Sequence, residues 1–320
     1  MNSAGNKNTN TNRSNNERTD LLVSIIVPVY NEIQGIRTSL NSLLRLSYSN
    51  YEILPVDNNS TDETDDVIAT IADDYPDIVF PCEETDFQSS YGARNSGVRN
   101  ASGRIYVFLD ADMWVEDDWL EKIVAIFQSN EYDYLGCKVD VVTYASPNIW
   151  ARYEQSFSFP VETYLEDKHF APTCALAVRR EVFEEVGFFD ERLESGGDKE
   201  FGQRVNHAGF RQGYAENITA YHPARDSWDA LRSKALRIGR GRAQKRRYHP
   251  ELGESHPLHP INYLPPSPFR LRRRFSGQDL SIPSLVGFYL LEYVLKLTQS
   301  YGALRETLAQ RRSKHMDGEP

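Results

Sequence analysis

Between Val23 and Phe127 the chain alternates short, almost wholly apolar runs with segments of helical spacing. This alternation restricts the fold more than any other feature. The runs Val23 to Val29, Tyr51 to Val56, Ile78 to Phe80 and Ile105 to Leu109 read as strands, and continuous apolarity means that both faces are covered. Helical spacing separates them: Ile33, Ile36, Leu40, Leu43 and Leu44; then Val67, Ile68 and Ile71, with Ser60 or Thr61 as the cap; then a glycine-punctuated helix over 90–100. Asp117 or Asp118 opens a further helix carrying Leu120, Ile123, Val124 and Phe127. The pattern predicts an α/β fold, a Rossmann-like, mostly parallel sheet flanked by helices and joined by right-handed crossovers. Beyond residue 130 it fades. Tyr134 to Val142 and Ala175 to Val178 read as strands, Glu181 to Val186 as a short helix stopped by Gly187, and Phe201 to Ala208 as a helix with Gly209 past its end.

Residues 1–19 are nearly all polar, cannot offset their ordering entropy by burial and are expected to be disordered. They hold no apolar core of a secretory signal. The net charge is −10, and arginine outnumbers lysine. Against that balance, residues 232–247 carry eight Lys/Arg and no acid, and Arg270, Arg272, Arg273 and Arg274 follow. A basic stretch in an acidic chain suits either a solvated helix or an anionic partner such as a phosphate or lipid head group. The overall balance opposes nucleic-acid binding. Cys82, Cys137 and Cys174 are scattered and read as free thiols. Residues 249–268 are proline-rich and read as a linker or irregular wrap. The apolar segment 282–297 falls short of the roughly 20 residues a bilayer span needs. It is expected to be a helix, packed in the fold or lying at a membrane interface.

Several polar groups sit where such a fold binds ligands, at the carboxyl ends of strands. Asp110-Ala111-Asp112 directly follows the Ile105 strand. Two bare acids one residue apart are costly to bury, but Mg²⁺ with phosphate oxygens takes one or two such carboxylates; a solvated turn is the alternative. Asp57 begins the turn Asp57-Asn58-Asn59-Ser60, where it can bind a base or ribose, or simply close the turn. Arg94 offers a fixed fork of donors to a diphosphate or base carbonyl. In Ser195-Gly196-Gly197-Asp198 the glycines free the backbone to bring Asp198 to a ligand, as a general base for an alcohol or as a helix cap. His222 is either a structural histidine or a metal ligand completing a site begun by Asp112.

Val23-Ser24-Ile25-Ile26-Val27-Pro28-Val29-Tyr30-Asn31-Glu32, the Asp57 turn, Arg94-Asn95, Asp110-Ala111-Asp112 and Gly197-Asp198-Lys199-Glu200-Phe201 occur in order. Together they resemble the family 2 glycosyltransferases of the GT-A fold, over about residues 21–225. The resemblance implies a catalytic domain over 20–225, followed by a basic, helical C-terminal extension over 226–320. It implies that Pro28, Tyr30 and Glu32 line the nucleotide pocket, that Asp57 meets the base, and that Arg94 meets the base or diphosphate. Asp110 would contact the ribose or metal, Asp112 and His222 would bind Mn²⁺ or Mg²⁺, and Asp198 would be the base. Gly197 stands where that family usually has Glu. Gln244-Lys245-Arg246-Arg247-Tyr248 resembles the Gln-X-X-Arg-Trp signature of processive synthases, with tyrosine for tryptophan. The implied reaction is inverting transfer of a sugar from a nucleotide diphosphate sugar, UDP before GDP, to an acceptor hydroxyl. The acidic, arginine-rich composition resembles haloarchaeal proteins, whose relatives build lipid-linked glycans for protein glycosylation. That implies a glycan or polyprenyl-phosphate-linked acceptor, and a cytoplasmic protein peripheral on the inner face of the membrane. The rival expectations are a sugar nucleotidylyltransferase and a non-catalytic scaffold of a glycan pathway.

Overall fold

The structure is a computed structural model and describes residues 21–144, 146–157, 159–267 and 281–316. The expected disorder of 1–19 and the Arg270–Arg274 cluster lie outside the described residues. Eight strands form one sheet in the order β3-β2-β1-β4-β7-β6-β8-β5. They are β1 (Val23–Val29), β2 (Tyr51–Asp57), β3 (Cys82–Glu83), β4 (Ile105–Leu109), β5 (Trp114–Val115), β6 (Tyr134–Val142), β7 (Ala175–Arg179) and β8 (Gln212–Pro223). β1 is the parallel partner of both β2 and β4, as the strand-helix alternation predicts. β7 then pairs antiparallel with β4 and β6, and β6 pairs parallel with β8. The carboxyl ends of β1, β2 and β4 therefore open together on one edge.

The helices are α1 (Ile33–Leu43), α2 (Thr64–Asp74), α3 (Ser90–Asn100), α4 (Trp119–Gln128), α5 (Ile149–Phe157), α6 (Val161–Lys168), α7 (Arg180–Val186), α8 (Gly197–His207) and α9 (Trp228–Tyr248). A last helix, α10, runs over Ile282–Met316. The periodic apolar residues of α1 and α4 are buried: Ile36, Leu40 and Leu43, and Leu120, Ile123, Val124 and Phe127. α3 presses on β1 through Gly97, where a Cβ would lie 2.5 Å from Ile26 Cγ2.

Several boundaries differ from expectation. The Ile78 to Phe80 run bonds to Ile53 through Ile53 N–H to Ile78 O and Phe80 N–H to Ile53 O. Pro81 then has no N–H to continue the ladder, so the named strand is Cys82–Glu83. α2 begins at Thr64, not after Ser60 or Thr61, because those two residues are taken by Asn31: Ser60 Oγ accepts from Asn31 N–H, and Asn31 Oδ1 accepts from Thr61 N–H. α8 begins four residues early, at Gly197, because Gly196 adopts φ 85° and turns the chain into the helix.

α10 is packed along its inner side. Phe288, Leu291 and Leu295 share a cluster with Leu231 and Ala235 of α9 and with Tyr153 and Phe157 of α5. The α9–α10 crossing is a backbone contact: a Cβ on Gly239 would lie 2.1 Å from Gln299 O, and one on Gly302 would lie 2.7 Å from Leu236 O. The helix outruns the expected 282–297 because polar residues such as Thr298, Gln299 and Ser300 continue it without breaking it. The proline-rich wrap is fastened to it, with Lys296 Nζ donating to Ile261 O and Leu264 O. Among the described residues no helix is long and apolar enough to cross a membrane.

Candidate active site

The Asp110 turn is built by its neighbours. Met113 N–H donates to Asp110 O at 3.1 Å, and buried Ser39 Oγ of α1 donates to Met113 O at 2.5 Å. Gly35 permits this approach, since a Cβ there would lie 2.8 Å from Ala111 O. Asp110 leaves the end of β4 and meets Arg94, whose Nη2 donates to Asp110 Oδ1 at 2.5 Å. Arg94 is 4% exposed on α3, with Nη1 on Ser90 O and Nε buried without a partner. A buried guanidinium with a spare donor is costly unless a ligand completes it.

Pro28, Tyr30, Arg94, Asp110, Asp198 and His222 share the wall of one cavity of about 1070 Å³. Glu32, Asp57 and Asp112 are not among the residues of this wall. Glu32 caps α1 by accepting from Gly35 N–H, and its carboxyl is raised by burial and by the charge of Asp112. Of the two roles expected of Asp57, the structure shows the turn closure. Its Oδ2 accepts from Ser60 N–H and closes the turn, while its Oδ1 is buried with no partner. Asn58 Oδ1 is orphaned likewise, so the end of β2 presents two unfilled acceptors.

Asp112 faces His222, with Oδ2 3.6 Å from Nε2. His222 is buried on β8, and its Nδ1 lies 2.6 Å from Pro223 O. A carbonyl only accepts, so Nδ1 carries the proton, and in the neutral ring Nε2 is left as an acceptor. Two acceptors facing each other across 3.6 Å could be bridged by a cation. The donor pair of carboxylate and neutral imidazole fits Mn²⁺ or Mg²⁺. Among the described residues no group of three or more His, Cys, Asp or Glu converges as a complete metal cluster, so these two side chains are half of such a site at most.

Asp198 stands in the first turn of α8. Tyr91 Oη accepts from the N–H groups of both Gly197 and Asp198, at 2.9 and 3.3 Å. That ring accounts for the glycine at 197, because a Cβ there would lie 2.8 Å from Tyr91 Cε2. Burial raises the Asp198 carboxyl above the ordinary range, opposed by the Lys199 N–H and then by the charges of Lys245, Arg94 and Arg237. Asn95, named by sequence only as Arg94's neighbour, clamps the approach to this loop: its Nδ2 donates to Phe189 O and its Oδ1 accepts from Phe189 N–H.

Sequence reasoning missed the wall opposite. Glu154 of α5, 2% exposed, accepts from Arg225 Nη1 at 2.8 Å and Lys234 Nζ at 2.6 Å. Glu254 pairs with Lys245 at 2.8 Å and Arg242 at 3.4 Å. The Gln244 motif was the available signal, and its first two residues pack on the loop ahead of Asp198. Gln244 Oε1 accepts from Glu194 N–H. A Cβ on Gly196 would lie 2.6 Å from Lys245 Nζ, and one on Gly241 would lie 2.3 Å from Ser195 O. α9 thus braces the loop that carries Asp198.

The family model described as Glycosyl transferase family 2 matches residues 24–187. The chain belongs to this family. The glycosyltransferase AglE of Haloferax volcanii is 35% identical over 225 residues, covering 69% of this chain and 73% of that one. Two solved structures share the fold of this family 2 glycosyltransferase. One is the mannosyltransferase PcManGT of Pyrobaculum calidifontis in complex with GDP-Man and Mn²⁺ (TM-score 0.60, 19% identity, covering 90% of this chain and 87% of that one). The other is S. aureus TarS 1-349 in complex with UDP-GlcNAc (TM-score 0.51, 18% identity, 92% of each chain). The expected GT-A architecture, with its C-terminal helix, is the one observed.

Proposed function

We propose that this glycosyltransferase acts by inversion, moving a sugar from a nucleotide diphosphate donor to an acceptor hydroxyl. The observation that carries the reading is one cavity whose wall holds Asp198, the Arg94–Asp110 pair and His222 together. The orphaned Oδ1 atoms of Asp57 and Asn58 would accept from the N–H groups of a base, and Arg94 would place its free Nε on the diphosphate. Asp112 and His222 would hold Mn²⁺ or Mg²⁺, which when bound neutralises charge on the departing diphosphate. Asp198 takes the acceptor hydroxyl proton, and the alkoxide displaces the nucleoside diphosphate in line, so that one displacement inverts the anomeric carbon. Relatives with GDP-Man and UDP-GlcNAc support testing both nucleotides, UDP first.

The test is isothermal titration of UDP and GDP with and without Mn²⁺, on wild type and Asp112→Ala. Metal-dependent binding of one nucleotide, lost in Asp112→Ala, is the expected result. No binding of either with metal present would remove the transferase reading in favour of a scaffold. The extension to a lipid-linked acceptor, with the protein peripheral on a membrane, is supported by Val286, Leu290 and Val294, which repeat every four residues along α10 and stay exposed. Truncating α10 would also uncover Leu231 and Ala235, so the cleaner test is Val286→Glu with Leu290→Glu. Flotation with anionic liposomes should be lost in the variant; unchanged flotation would sink the extension.

A further inference from the structure

Phe159 holds a backbone conformation that its residue type resists. Its φ is 55°, in the left-handed region where a Cβ crowds the following carbonyl, and a residue before proline is pushed toward extended backbone. Asn31, Asn59 and Asn130 also have positive φ, which asparagine tolerates. His169 has it as the residue that ends α6, an ordinary helix stop. Phe159 has neither reason, and its surroundings impose the strain. Val161 N–H donates to Phe159 O at 2.8 Å, across Pro160 at φ −74° and ψ 72°, an inverse γ-turn. Val161 and Leu165 of α6 are buried on β6, where a Cβ on Gly136 would lie 2.9 Å from Val161 Cγ1 and 3.1 Å from Leu165 Cδ1. Relaxing Phe159 would lift the first turn of α6 from the sheet.

The half-buried ring lies in the cavity wall against the ring of His222, with centres 5.4 Å apart and planes 44° apart. Lys234 Nζ lies 5.6 Å from the Phe159 ring centre, and Glu154 accepts from that ammonium at 2.6 Å. Contacts therefore run from Glu154 through Lys234 and Phe159 to His222, whose Nε2 is 3.6 Å from Asp112 Oδ2. His222 needs such a stop. Its Nδ1 bond to Pro223 O settles which nitrogen bears the proton, but one hydrogen bond leaves a ring free to pivot about it. A second ring packed beside it blocks the pivot. Apolar burial is non-directional and gives no reason to hold a strained backbone. Residues kept in sparse regions of φ and ψ concentrate where their geometry is used.

We infer that Phe159 is a positioning residue for the metal half-site: its constrained backbone holds the ring against His222 and keeps Nε2 aimed at Asp112. The inference rests on the transferase reading above for the ion, Mn²⁺ or Mg²⁺, and goes beyond it in naming what fixes the imidazole. Phe159 offers no ligand atom of its own and acts through His222. Groups that orient a ligating histidine by hydrogen bonds are typically worth about 10- to 100-fold in metal affinity; a ring contact should be worth somewhat less.

The experiment compares the full chain with Phe159→Gly, Phe159→Ala and Phe159→Tyr. It reads the metal-free thermal midpoint, the metal-free nitrogen-15 signals of the His222 ring, and Mn²⁺ affinity in saturating UDP or GDP. Glycine enters the left-handed region freely, so Phe159→Gly should unfold at a higher midpoint than Phe159→Ala, which keeps the strain without the ring. The reverse order would overturn the inference. Mn²⁺ affinity should fall by about five-fold or more in both variants and stay within about two-fold of wild type in Phe159→Tyr. A ring that served stability alone would make the Mn²⁺ loss follow the midpoint, smaller for glycine than for alanine, and that pattern overturns the positioning role. So does an Mn²⁺ affinity in Phe159→Gly within about two-fold of wild type. The His222 nitrogens should give one sharp pair of signals in wild type and Phe159→Tyr, with the proton on Nδ1, and broadened signals in the other two. If wild type bound no Mn²⁺ with either nucleotide, the transferase reading would fail. The His222 signals would then decide alone: broadening confined to the glycine and alanine variants supports the positioning role, and sharp signals in all four proteins overturn it.

Discussion

The two walls of the cavity are held together by different physics. The wall formed by β1, β2, β4 and α3 is made of strand ends and tight backbone approaches, and it brings the Arg94–Asp110 pair to the cavity. The wall formed by α5, α9 and the wrap is made of ion pairs distant in sequence: Glu154 with Lys234, Glu254 with Lys245, and Glu194 with Arg240. The first wall is shaped by the fold's core, so its polar groups are free for a ligand. In the second, most polar groups are spent on holding the helices in place. The comparison teaches that charge removal should cost binding on one side and stability on the other.

The largest effect falls on the residue between them. Asp198→Asn keeps the size and most contacts of the base but cannot take a proton. Sugar transfer should fall about 10²- to 10⁴-fold, the range of general base catalysis, with nucleotide affinity unchanged. Transfer at wild-type rate would mean that the base lies elsewhere.

Glu154→Gln tests the second wall. Breaking a buried pair from one side typically costs about 3–5 kcal/mol, and here two cations lose their acid. The midpoint of thermal unfolding should drop clearly. Asp110→Asn, in the first wall, leaves buried Arg94 facing an amide oxygen in place of a carboxylate that is itself about one-third exposed, so the midpoint should drop less than in Glu154→Gln while nucleotide binding weakens. If the two variants exchanged these signatures, the distinction between the walls would be lost.

How much of each wall was legible in the sequence follows the same line. The strand ends could be read because apolar runs mark buried strands, and each run is followed at once by its polar group: Val29 by Tyr30, Val56 by Asp57, Leu109 by Asp110. The Glu154–Lys234 and Glu254–Lys245 pairs could not be read, because no periodicity links residues on α5 or in a proline-rich wrap to a basic helix. The eight cations of 232–247 were visible as a stretch. Which face they turned inward depended on Gly239 and Gly241, whose meaning appears only when α10 and Ser195 lie against them. Gly197 was read as a departure from a motif; the Tyr91 ring beside it gives the reason.

Tyr91→Phe removes the oxygen that accepts from Gly197 and Asp198. Two buried N–H groups then lack a partner, at about 1–3 kcal/mol. Because they open α8, the strain should fall on the position of Asp198. The expected outcome is a drop in kcat of about ten-fold with nucleotide affinity nearly constant, read from initial rates and titration. A loss confined to KM would place Tyr91 in substrate binding instead.

The smallest effect is a shift in pH. Burial raises the Asp198 carboxyl, and the charge of Lys245 opposes that rise. A base works only when ionised, so activity should fall as pH drops through the raised pKa, and the acid limb should lie above the ordinary carboxylate range. Removing a nearby cation makes the anion harder to form, so Lys245→Met should move the limb further up. Lys245→Arg, which keeps the charge, should leave the limb near wild type even if packing against Gly196 slows the reaction. A limb that moves equally in both variants would show that Lys245 acts on Asp198 through the loop's shape and not through its charge, and the second wall would then be structural all the way to the base.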